Sequence, residues 1–286
     1  MKDVQFINNF INNFEVFLFN CDGVIWNGNT AIHKASEVIN FLKSIKKQLY
    51  FITNDCSKSR FAFINKFKEF GININESEII CSSFLAAIYL KQKKFNKTAY
   101  IIGEKGLLEE FDKMNIKYIY IETDNNNEMN KKDILNIHNN IGAVVVGFDR
   151  NISYNKIEYA RIALENPQCM LIVTNRDAKT YLTESQYLAG TGSMIGAVEG
   201  CTNRTATLVG KPSNFLLNLI NINPEKCLIV GDKLDIDILF ANTNNIPSCL
   251  VLSGATILND LELFPREKLP TFFARSIADF IHNIQK

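Results

Sequence analysis

The sequence lacks long apolar runs and an excess of charge of either sign. No uninterrupted apolar stretch approaches the ~18 residues of a membrane-spanning helix, and the N-terminus has no apolar segment suited to a signal peptide. The 31 basic and 30 acidic residues leave a formal net charge of only +1. This balance gives no strong field for nucleic acid or an anionic membrane, so we expect a cytoplasmic protein with neither as a partner.

Several motifs of common protein classes are missing as well. The seven cysteines are odd in number and none forms a Cys-x-x-Cys pair. This usage predicts reduced thiols rather than a disulfide framework or a zinc site. The chain contains no Gly-x-Gly-x-x-Gly and no Walker-type phosphate loop, which argues against dinucleotide-binding and P-loop proteins.

The sequence does have an apolar share of 47% over 286 residues, which is enough for a sizeable core. Short apolar runs such as Val16–Phe19 and Cys227–Gly231 alternate with segments of helical periodicity, such as Ala35–Lys46, Lys156–Glu165 and Asn214–Ile220. Apolar strands that alternate with helices are typical of parallel sheets covered on both faces. We therefore predict an α/β fold.

Two polar regions divide the chain. The Lys- and Asn-rich segment Lys91–Lys97 and the region Asn203–Thr207 bracket a central part that carries its own strand and helix patterns. A second α/β domain inserted into the first explains this arrangement. We predict a core formed by residues 1–95 and 207–286 and a cap domain formed by residues 96–206.

Polar side chains follow four of the predicted strands. The segments are Asn20-Cys21-Asp22-Gly23, Thr53-Asn54, Lys211-Pro212 and the stretch from Asp232 to Asp237. The glycine permits a tight turn whose N–H groups face an anion, a threonine hydroxyl or a lysine can bind a phosphoryl oxygen, and carboxylates suit Mg²⁺. Each segment alone also fits an ordinary strand end or helix N-cap. Together, at the strand ends where α/β sheets bind ligands, they predict a phosphate and metal site.

These motifs resemble those of the haloacid dehalogenase superfamily of phosphotransferases, whose first motif reads Asp-x-Asp-Gly. Four further runs are similar to its 4-nitrophenylphosphatase and phosphoglycolate phosphatase branch, namely Val144–Arg150, Thr174–Asp177, Gly190–Ser193 and Lys211–Ser213. The resemblance covers nearly the whole chain. It implies a doubly wound, Rossmann-like parallel-sheet core with an inserted α/β cap. It also implies Mg²⁺-dependent hydrolysis of small phosphomonoesters through an aspartyl-phosphate, with 2-phosphoglycolate as first expected substrate and 4-nitrophenyl phosphate as a model one.

The resemblance also implies roles for individual residues of the core. The residue at position 20, here Asn20, attacks phosphorus and ligates Mg²⁺. Asp22 protonates the leaving oxygen and then activates water, while its main-chain carbonyl ligates the metal. Thr53 and Lys211 hold the phosphoryl group, and Asp232 is the remaining side-chain ligand of the metal.

Further residues take supporting roles by the same resemblance. Asp237 supports the metal site from behind, Gly23 turns the backbone toward the phosphate, and Asn54 positions the phosphate or its loop. In the cap, Asn175 and Arg176 contact the substrate, with Arg176 pairing with a substrate carboxylate. Relatives of this branch also dimerise through the cap, so the resemblance implies a homodimer.

The sequence departs from the family pattern at two positions. The amide of Asn20 cannot form an aspartyl-phosphate, which costs roughly 10⁴-fold or more in turnover, although it keeps a carbonyl oxygen for Mg²⁺. Two explanations stay open: a deliberate exchange of Asp for Asn that traps ligand, or a natural pseudo-phosphatase that binds a phosphorylated ligand without turnover. The second motif usually reads Thr-Asn-Asn-Ser, whereas this chain has Asp55 at the third position, to which we assign no role.

Overall fold

The structure, a computed structural model, describes residues 1–4, 10–121, 140–181, 186–265 and 268–281. Within them the strands are β1 (Lys2–Asp3), β2 (Val16–Phe19), β3 (Trp26–Asn27), β4 (Thr30–Ala31), β5 (Gln48–Thr53), β6 (Ile79–Cys81), β7 (Thr98–Ile102), β8 (Tyr118–Tyr120), β9 (Ile141–Val146), β10 (Met170–Val173), β11 (Lys179–Tyr181), β12 (Tyr187–Ala189), β13 (Thr207–Leu208), β14 (Cys227–Gly231), β15 (Ser248–Val251) and β16 (Phe272–Ala274).

The α-helices of the same residues are α1 (Ala35–Ser44), α2 (Arg60–Glu69), α3 (Ser82–Gln92), α4 (Lys105–Lys113), α5 (Tyr154–Leu164), α6 (Thr191–Thr202), α7 (Leu239–Thr243) and α8 (Asp260–Leu263). Short 3₁₀ helices span Phe10–Asn13, Glu76–Glu78, Asn214–Leu219, Pro224–Lys226 and Ile277–Ile281, and a π-helical turn spans Leu234–Ile238. Periodicity predicted a helix over Asn214–Ile220, and the structure has a 3₁₀ helix over Asn214–Leu219, which is wound more tightly than an α-helix.

The larger sheet has seven strands in the order β1-β16-β15-β14-β2-β5-β6, and every neighbouring pair is parallel. Strand β2 lies between β14 and β5, so the first and last parts of the chain meet at its centre. Phe17 and Phe19 pack into one hydrophobic cluster, while Val16 and Leu18 pack into another. Because successive strand residues point to opposite faces, both faces of the sheet are covered, which confirms the predicted doubly wound core.

The smaller sheet has five strands in the order β13-β10-β9-β7-β8, again all parallel. It is built from the middle of the chain, which confirms a second α/β unit inserted into the first. The residue numbers at which one unit passes into the other stay a prediction. Strand β13, which the prediction assigned to the second part of the core, pairs with β10 of the smaller sheet.

An aromatic cluster lies directly beneath the loop that follows β2. The fully buried ring of Trp26 lies 4.8 Å from the ring of Phe67, which in turn lies 4.5 Å from Phe51. Such pairs contribute about 1 kcal/mol each beyond the area that they bury. The ring of Trp26 is thereby fixed, and with it the N–H group that it turns toward Asp22.

Two sequence-based expectations concern the whole chain. In the described ranges, no helix is long and apolar enough to cross a membrane.

All seven cysteines are free thiols, as predicted, and six of them are buried. Burial raises the pKa of the Cys56 thiol to about 11, which keeps it protonated and unreactive at neutral pH.

A glycine allows helix α4 to approach the loop that follows β5. The N–H of Gly106 donates to the carbonyl of Ser57 over 3.2 Å. A Cβ added at Gly106 would lie 2.2 Å from the carbonyl carbon of Lys58, which is far inside van der Waals contact. The close packing of these two segments therefore depends on the missing side chain.

We expect Gly106→Ala to destabilise the protein by about 1–3 kcal/mol, because the added methyl forces helix α4 away from the loop. The matched control is Gly200→Ala in helix α6, where a Cβ meets nothing within 4 Å and helix propensity predicts a gain of up to about 1 kcal/mol. Urea unfolding of both variants measures the difference. Equal stabilities for the two variants would show that the approach is not tight.

Candidate active site

The carboxyl ends of strands β2, β5 and β14 meet beside a cavity of about 320 Å³. Both sheets contribute to its lining. The predicted site residues that line it are Asn20, Asp22, Thr53, Asn54, Asn175, Lys211 and Asp237. The structure therefore brings together five segments that are far apart in sequence, four from the core and one from the cap, as expected where the carboxyl ends of parallel strands meet.

The side-chain amide of Asn20 lies at the centre of the hydrogen-bond network. Its amino group donates to the main-chain carbonyl of Asp22 and to Oδ1 of Asp232, each over 2.9 Å. Its carbonyl oxygen accepts from the Nζ of Lys211 over 3.0 Å. The oxygen expected to face Mg²⁺ is therefore turned toward the lysine, and the amino group faces the other two predicted metal ligands.

A buried ion pair holds the floor of the cavity. The Nζ of Lys211 lies 2.6 Å from Oδ1 of Asp237, and the two side chains are 3% and 1% exposed. The other oxygen of Asp237 accepts from the backbone N–H groups of Asp232 and Lys233, over 3.1 and 3.2 Å. Asp237 thus connects the lysine to the turn that follows β14.

Asp232 is fully buried behind Asn20 and does not itself line the cavity. Its Oδ2 accepts from the N–H of Ala255 over 2.8 Å. Burial, and then the negative charge of Asp237, raise the pKa of Asp232 to about 7. Gly23 has a φ of +78°, and a Cβ there would lie 2.3 Å from Oδ2 of Asp232, so glycine permits both the turn and the close approach.

Asp22 is half-buried at the edge of the cavity. Its Oδ1 accepts from the indole N–H of Trp26 over 3.0 Å. Burial, and then the charge of Asp55, raise the pKa of Asp22. A carboxyl group with a raised pKa can hold a proton for a leaving group, which is the role that the sequence predicted for it.

Thr53 and Asn54 follow β5 and are both buried. The Oγ1 of Thr53 accepts from the N–H of Asp55 over 3.1 Å, which leaves its own proton available for donation. The Oδ1 of Asn54 accepts from the N–H of Lys211 over 2.9 Å, and its main-chain oxygen accepts from Asn175 over 2.8 Å. Asn54 therefore connects its own segment, the second, with the third segment and with the cap.

Arg176, like Asp232 and Gly23, is a predicted site residue that does not line the cavity. Its guanidinium makes two hydrogen bonds with the carboxylate of Glu199, over 2.6 and 2.8 Å, and it is absent from the cavity lining. Glu199 is itself held by the N–H of Ala206 over 2.8 Å. The guanidinium is therefore committed to a partner on helix α6 rather than presented to a substrate.

Several cations that the sequence analysis missed line the cavity: Lys58, Lys66, Arg150, Lys179 and Lys233. The Nζ of Lys58 lies 3.1 Å from Asp55. Burial alone would raise the pKa of Asp55, but Lys58 and the hydrogen bonds from Ser57 outweigh burial and lower it. Arg150 and Lys233 lie in segments that the sequence analysis named, whereas Lys58, Lys66 and Lys179 carried no motif.

Three further contacts join the loops of the larger sheet to the cap. The Nζ of Lys233 lies 3.2 Å from Oδ2 of Asp177, whose Oδ1 accepts from the amide of Asn54 over 2.9 Å. The Sγ of Cys56 accepts from the N–H of Phe148 over 3.0 Å. The loops after β5 and β14 are thus bonded to the loops of the smaller sheet.

The side chains around Asn20 can be compared with the ligands that the sequence predicts for Mg²⁺. In the part of the chain that the structure describes, no group of three or more His, Cys, Asp or Glu is placed to hold a metal ion. Two oxygens of the right chemistry, on Asp22 and Asp232, face the amino group of Asn20 rather than a common open point. As arranged, the donor set does not fit a divalent cation, because an amide N–H group is a donor and not a ligand.

Comparisons with known proteins identify the family of the chain. A family model for haloacid dehalogenase-like hydrolases matches residues 17–117, and a HAD-hydrolase-like model matches residues 208–280. The phosphoglycolate phosphatase 1A, chloroplastic, of Arabidopsis thaliana is 41% identical over 280 residues, which cover 95% of this chain and 77% of that protein. The glycerol-3-phosphate phosphatase of Rattus norvegicus is 33% identical over 292 residues, covering 95% of this chain and 91% of that protein.

A solved structure shows the same architecture. The p-nitrophenyl phosphatase from Archaeoglobus fulgidus is 25% identical and superposes with a TM-score of 0.81, covering 94% of this chain and 98% of that one. Fold, site and sequence thus define a hydrolase of the haloacid dehalogenase type. Within that class, the chain belongs to the family of phosphoglycolate, glycerol-3-phosphate and 4-nitrophenyl phosphatases, as the resemblance of its motifs predicted.

We expect Lys211→Met to lower the free energy of unfolding by about 3 kcal/mol, because it leaves the buried charge of Asp237 without its ion-pair partner. Urea denaturation measures the change. The double variant Lys211→Met/Asp237→Asn should recover part of the loss, since it removes the orphaned charge. A loss below about 1 kcal/mol in the single variant would contradict this account of the ion pair.

We expect Asp22→Asn to raise the melting temperature at pH 7. The pKa of Asp22 is raised in the folded state, so its ionised form destabilises the fold above the unfolded pKa of about 3.9. The gain should shrink as the pH falls toward 4, where the carboxyl is increasingly protonated in both states. Thermal unfolding at pH 7 and pH 4 checks this, with Asp235→Asn at an exposed position as control. A lower melting temperature at pH 7 would refute it.

Proposed function

We propose that the chain carries a phosphomonoesterase site for small phosphate esters and that Asn20 blocks turnover there without removing the site. The observation that supports this most directly is the contact of the Lys211 ammonium with the amide of Asn20, over 3.0 Å. The ammonium that would hold a phosphoryl group therefore lies beside the side chain at position 20, the position from which a carboxylate would attack phosphorus. The raised pKa of Asp22 adds the acid that the reaction needs.

The proposed chemistry requires a carboxylate at position 20. An Asp there forms a bond to phosphorus while the bond from phosphorus to the ester oxygen breaks, and Asp22 gives its proton to that oxygen. Water, deprotonated by Asp22, then forms a bond to phosphorus while the bond from phosphorus to the Asp oxygen breaks, which releases phosphate and restores the carboxylate. An amide is a poor nucleophile, so the Asn20 chain holds the ester without passing to the covalent stage. In the Asp form, Mg²⁺ would lie with the residue at position 20, Asp22 and Asp232.

The charge of the lining supports a small anionic substrate. Basic side chains in the cavity outnumber its carboxylates: Lys58, Lys66, Arg150, Lys179, Lys211 and Lys233 face Asp22, Asp55, Asp177 and Asp237. The volume of about 320 Å³ suits a small metabolite. We propose 2-phosphoglycolate as the physiological substrate, with its carboxylate bound by cations of the cavity lining rather than by Arg176. The names of the relatives make glycerol 3-phosphate the main competitor.

A natural pseudo-phosphatase is the second candidate, and one observation favours it. All the described polar atoms of the Asn20 side chain have hydrogen-bond partners among the other site residues, so the amide is accommodated without strain in the network. Such a protein would sense or sequester a phosphorylated metabolite. The two candidates share the ligand and differ in whether an Asp at position 20 restores chemistry.

Other expectations stay predictions beside this proposal. They are the domain boundaries at residues 95/96 and 206/207, a homodimer formed through the cap and a cytoplasmic location. The absence of nucleic-acid and membrane partners also stays a prediction. Asn175 is proposed to act through the loop of Asn54, whose main-chain oxygen accepts from it, rather than through direct contact with the substrate.

We expect Asn20→Asp to hydrolyse 4-nitrophenyl phosphate with Mg²⁺ at least about 10⁴-fold faster than the chain itself, because it restores the nucleophile. Release of 4-nitrophenolate measures the rate, and 2-phosphoglycolate and glycerol 3-phosphate are compared by release of phosphate. The control is Asn29→Asp, which adds the same charge at an exposed position of the cavity lining and should stay inactive.

Calorimetry with 2-phosphoglycolate separates the remaining outcomes. If Asn20→Asp is inactive but both proteins bind the ester, the site is a binding site and the pseudo-phosphatase candidate is favoured. If neither protein binds or hydrolyses any of the three esters, the proposed function is wrong.

A further inference from the structure

We infer that the amide of Asn20 closes the cation position, so that this chain assembles its site without Mg²⁺ and binds Mg²⁺ far more weakly than its Asn20→Asp variant. The inference rests on the proposed function, which gives the Asp form its metal. In this chain, the side-chain amino group of Asn20 takes the place of the metal, as the contacts around its nitrogen atom indicate.

The amino nitrogen of Asn20 lies 2.9 Å from the carbonyl oxygen of Asp22 and 2.9 Å from Oδ1 of Asp232. Neighbouring oxygen ligands of an octahedral Mg²⁺ at 2.0–2.1 Å are themselves about 2.9 Å apart. The nitrogen therefore occupies the corner that a metal-bound oxygen of Asp would take. In a metal site a cation holds such mutually repelling oxygens together, whereas here two N–H groups bond the two oxygens directly.

The orientation of the amide is fixed from both ends. If the amide turned over to offer its oxygen to a cation, its amino group would lie about 3.0 Å from the ammonium of Lys211, a contact between two donors. The ammonium cannot turn away freely, because it also donates to Asp237 over 2.6 Å and to the carbonyl of Ile52 over 3.2 Å. Mg²⁺ binding must therefore break favourable hydrogen bonds at Asp22, Asp232 and Lys211 together.

The charges around position 20 explain why Asn and Asp should behave in opposite ways. An Asp there would add a carboxylate beside the fully buried Asp232 and close to Asp237, whose Oδ2 lies 3.4 Å from the nitrogen of Asn20. Lys211 is already paired with Asp237, so one ammonium would face two or three carboxylates. The Asp form needs a further cation to balance them, and the neutral amide does not.

The test compares four proteins: the chain itself, Asn20→Asp, Asn20→Ala and the exposed control Asn29→Asp. Each is titrated with MgCl₂ in a calorimeter, and each is melted with EDTA and with Mg²⁺. We expect Mg²⁺ to bind Asn20→Asp at least about tenfold more tightly than the chain. We also expect Mg²⁺ to raise the melting temperature of Asn20→Asp by roughly 5 °C when it is saturating. The chain and Asn29→Asp should shift by less than about 1 °C.

In EDTA, the chain itself should have a higher melting temperature than Asn20→Asp, because no cation then balances the added carboxylate. Asn20→Ala, which removes the amide without adding charge, should melt below the chain both with and without Mg²⁺. If Asn20→Asp is unfolded in EDTA and folds on addition of Mg²⁺, the inference is also supported.

Equal Mg²⁺ affinity of the chain and Asn20→Asp, within threefold, would overturn the inference. In that case hydrolysis by Asn20→Asp would leave the proposed function standing. If Asn20→Asp neither binds Mg²⁺ nor hydrolyses any ester, the proposed function fails, and the inference fails with it. The two failures are therefore distinguishable.

Discussion

The buried ion pair between Lys211 and Asp237 is the constraint on which the rest of the site depends. Two charges that are almost completely removed from water are tolerated only when each is fully engaged. Asp237 meets this condition by accepting from the backbone of the turn after β14 as well as from the lysine. Lys211 meets it by donating to β5 and to Asn20. The pair therefore fixes the spacing of three strand ends, and the other groups of the cavity are arranged around it.

Asn20 lies where hydrogen-bonding groups from these strand ends converge. It has acceptors on one side, at Asp22 and Asp232, and a donor on the other, at Lys211. An amide is the side chain of that size that offers donors and an acceptor in opposite directions, whereas a carboxylate offers acceptors alone. The same geometry therefore suits Asn without a cation and Asp with one, although the two forms are chemically different proteins.

The features that could be predicted from the sequence are those that depend on residues near one another in the chain. Strand β2 was predictable because burial of both faces makes Val16–Phe19 uniformly apolar, and the site segments were predictable because they follow such strands. The pairing of Arg176 with Glu199 was not, because it depends on where helix α6 packs. The orientation of the Asn20 amide was not either, because residues from three distant segments determine it. Such features arise from tertiary structure, which single-sequence patterns do not encode.

Asp177 has a consequence for how the protein exchanges ligands. Its carboxylate, carried by a loop of the smaller sheet, is held by the amide of Asn54 and the ammonium of Lys233, two groups that also face the cavity. An entering phosphate would compete with a carboxylate that is already part of the chain. The ammonium of Lys233 would then have two possible anionic partners, one on the ligand and one on the loop of the smaller sheet. The binding of a phosphate ester and the contact between the two sheets would therefore depend on the same side chain.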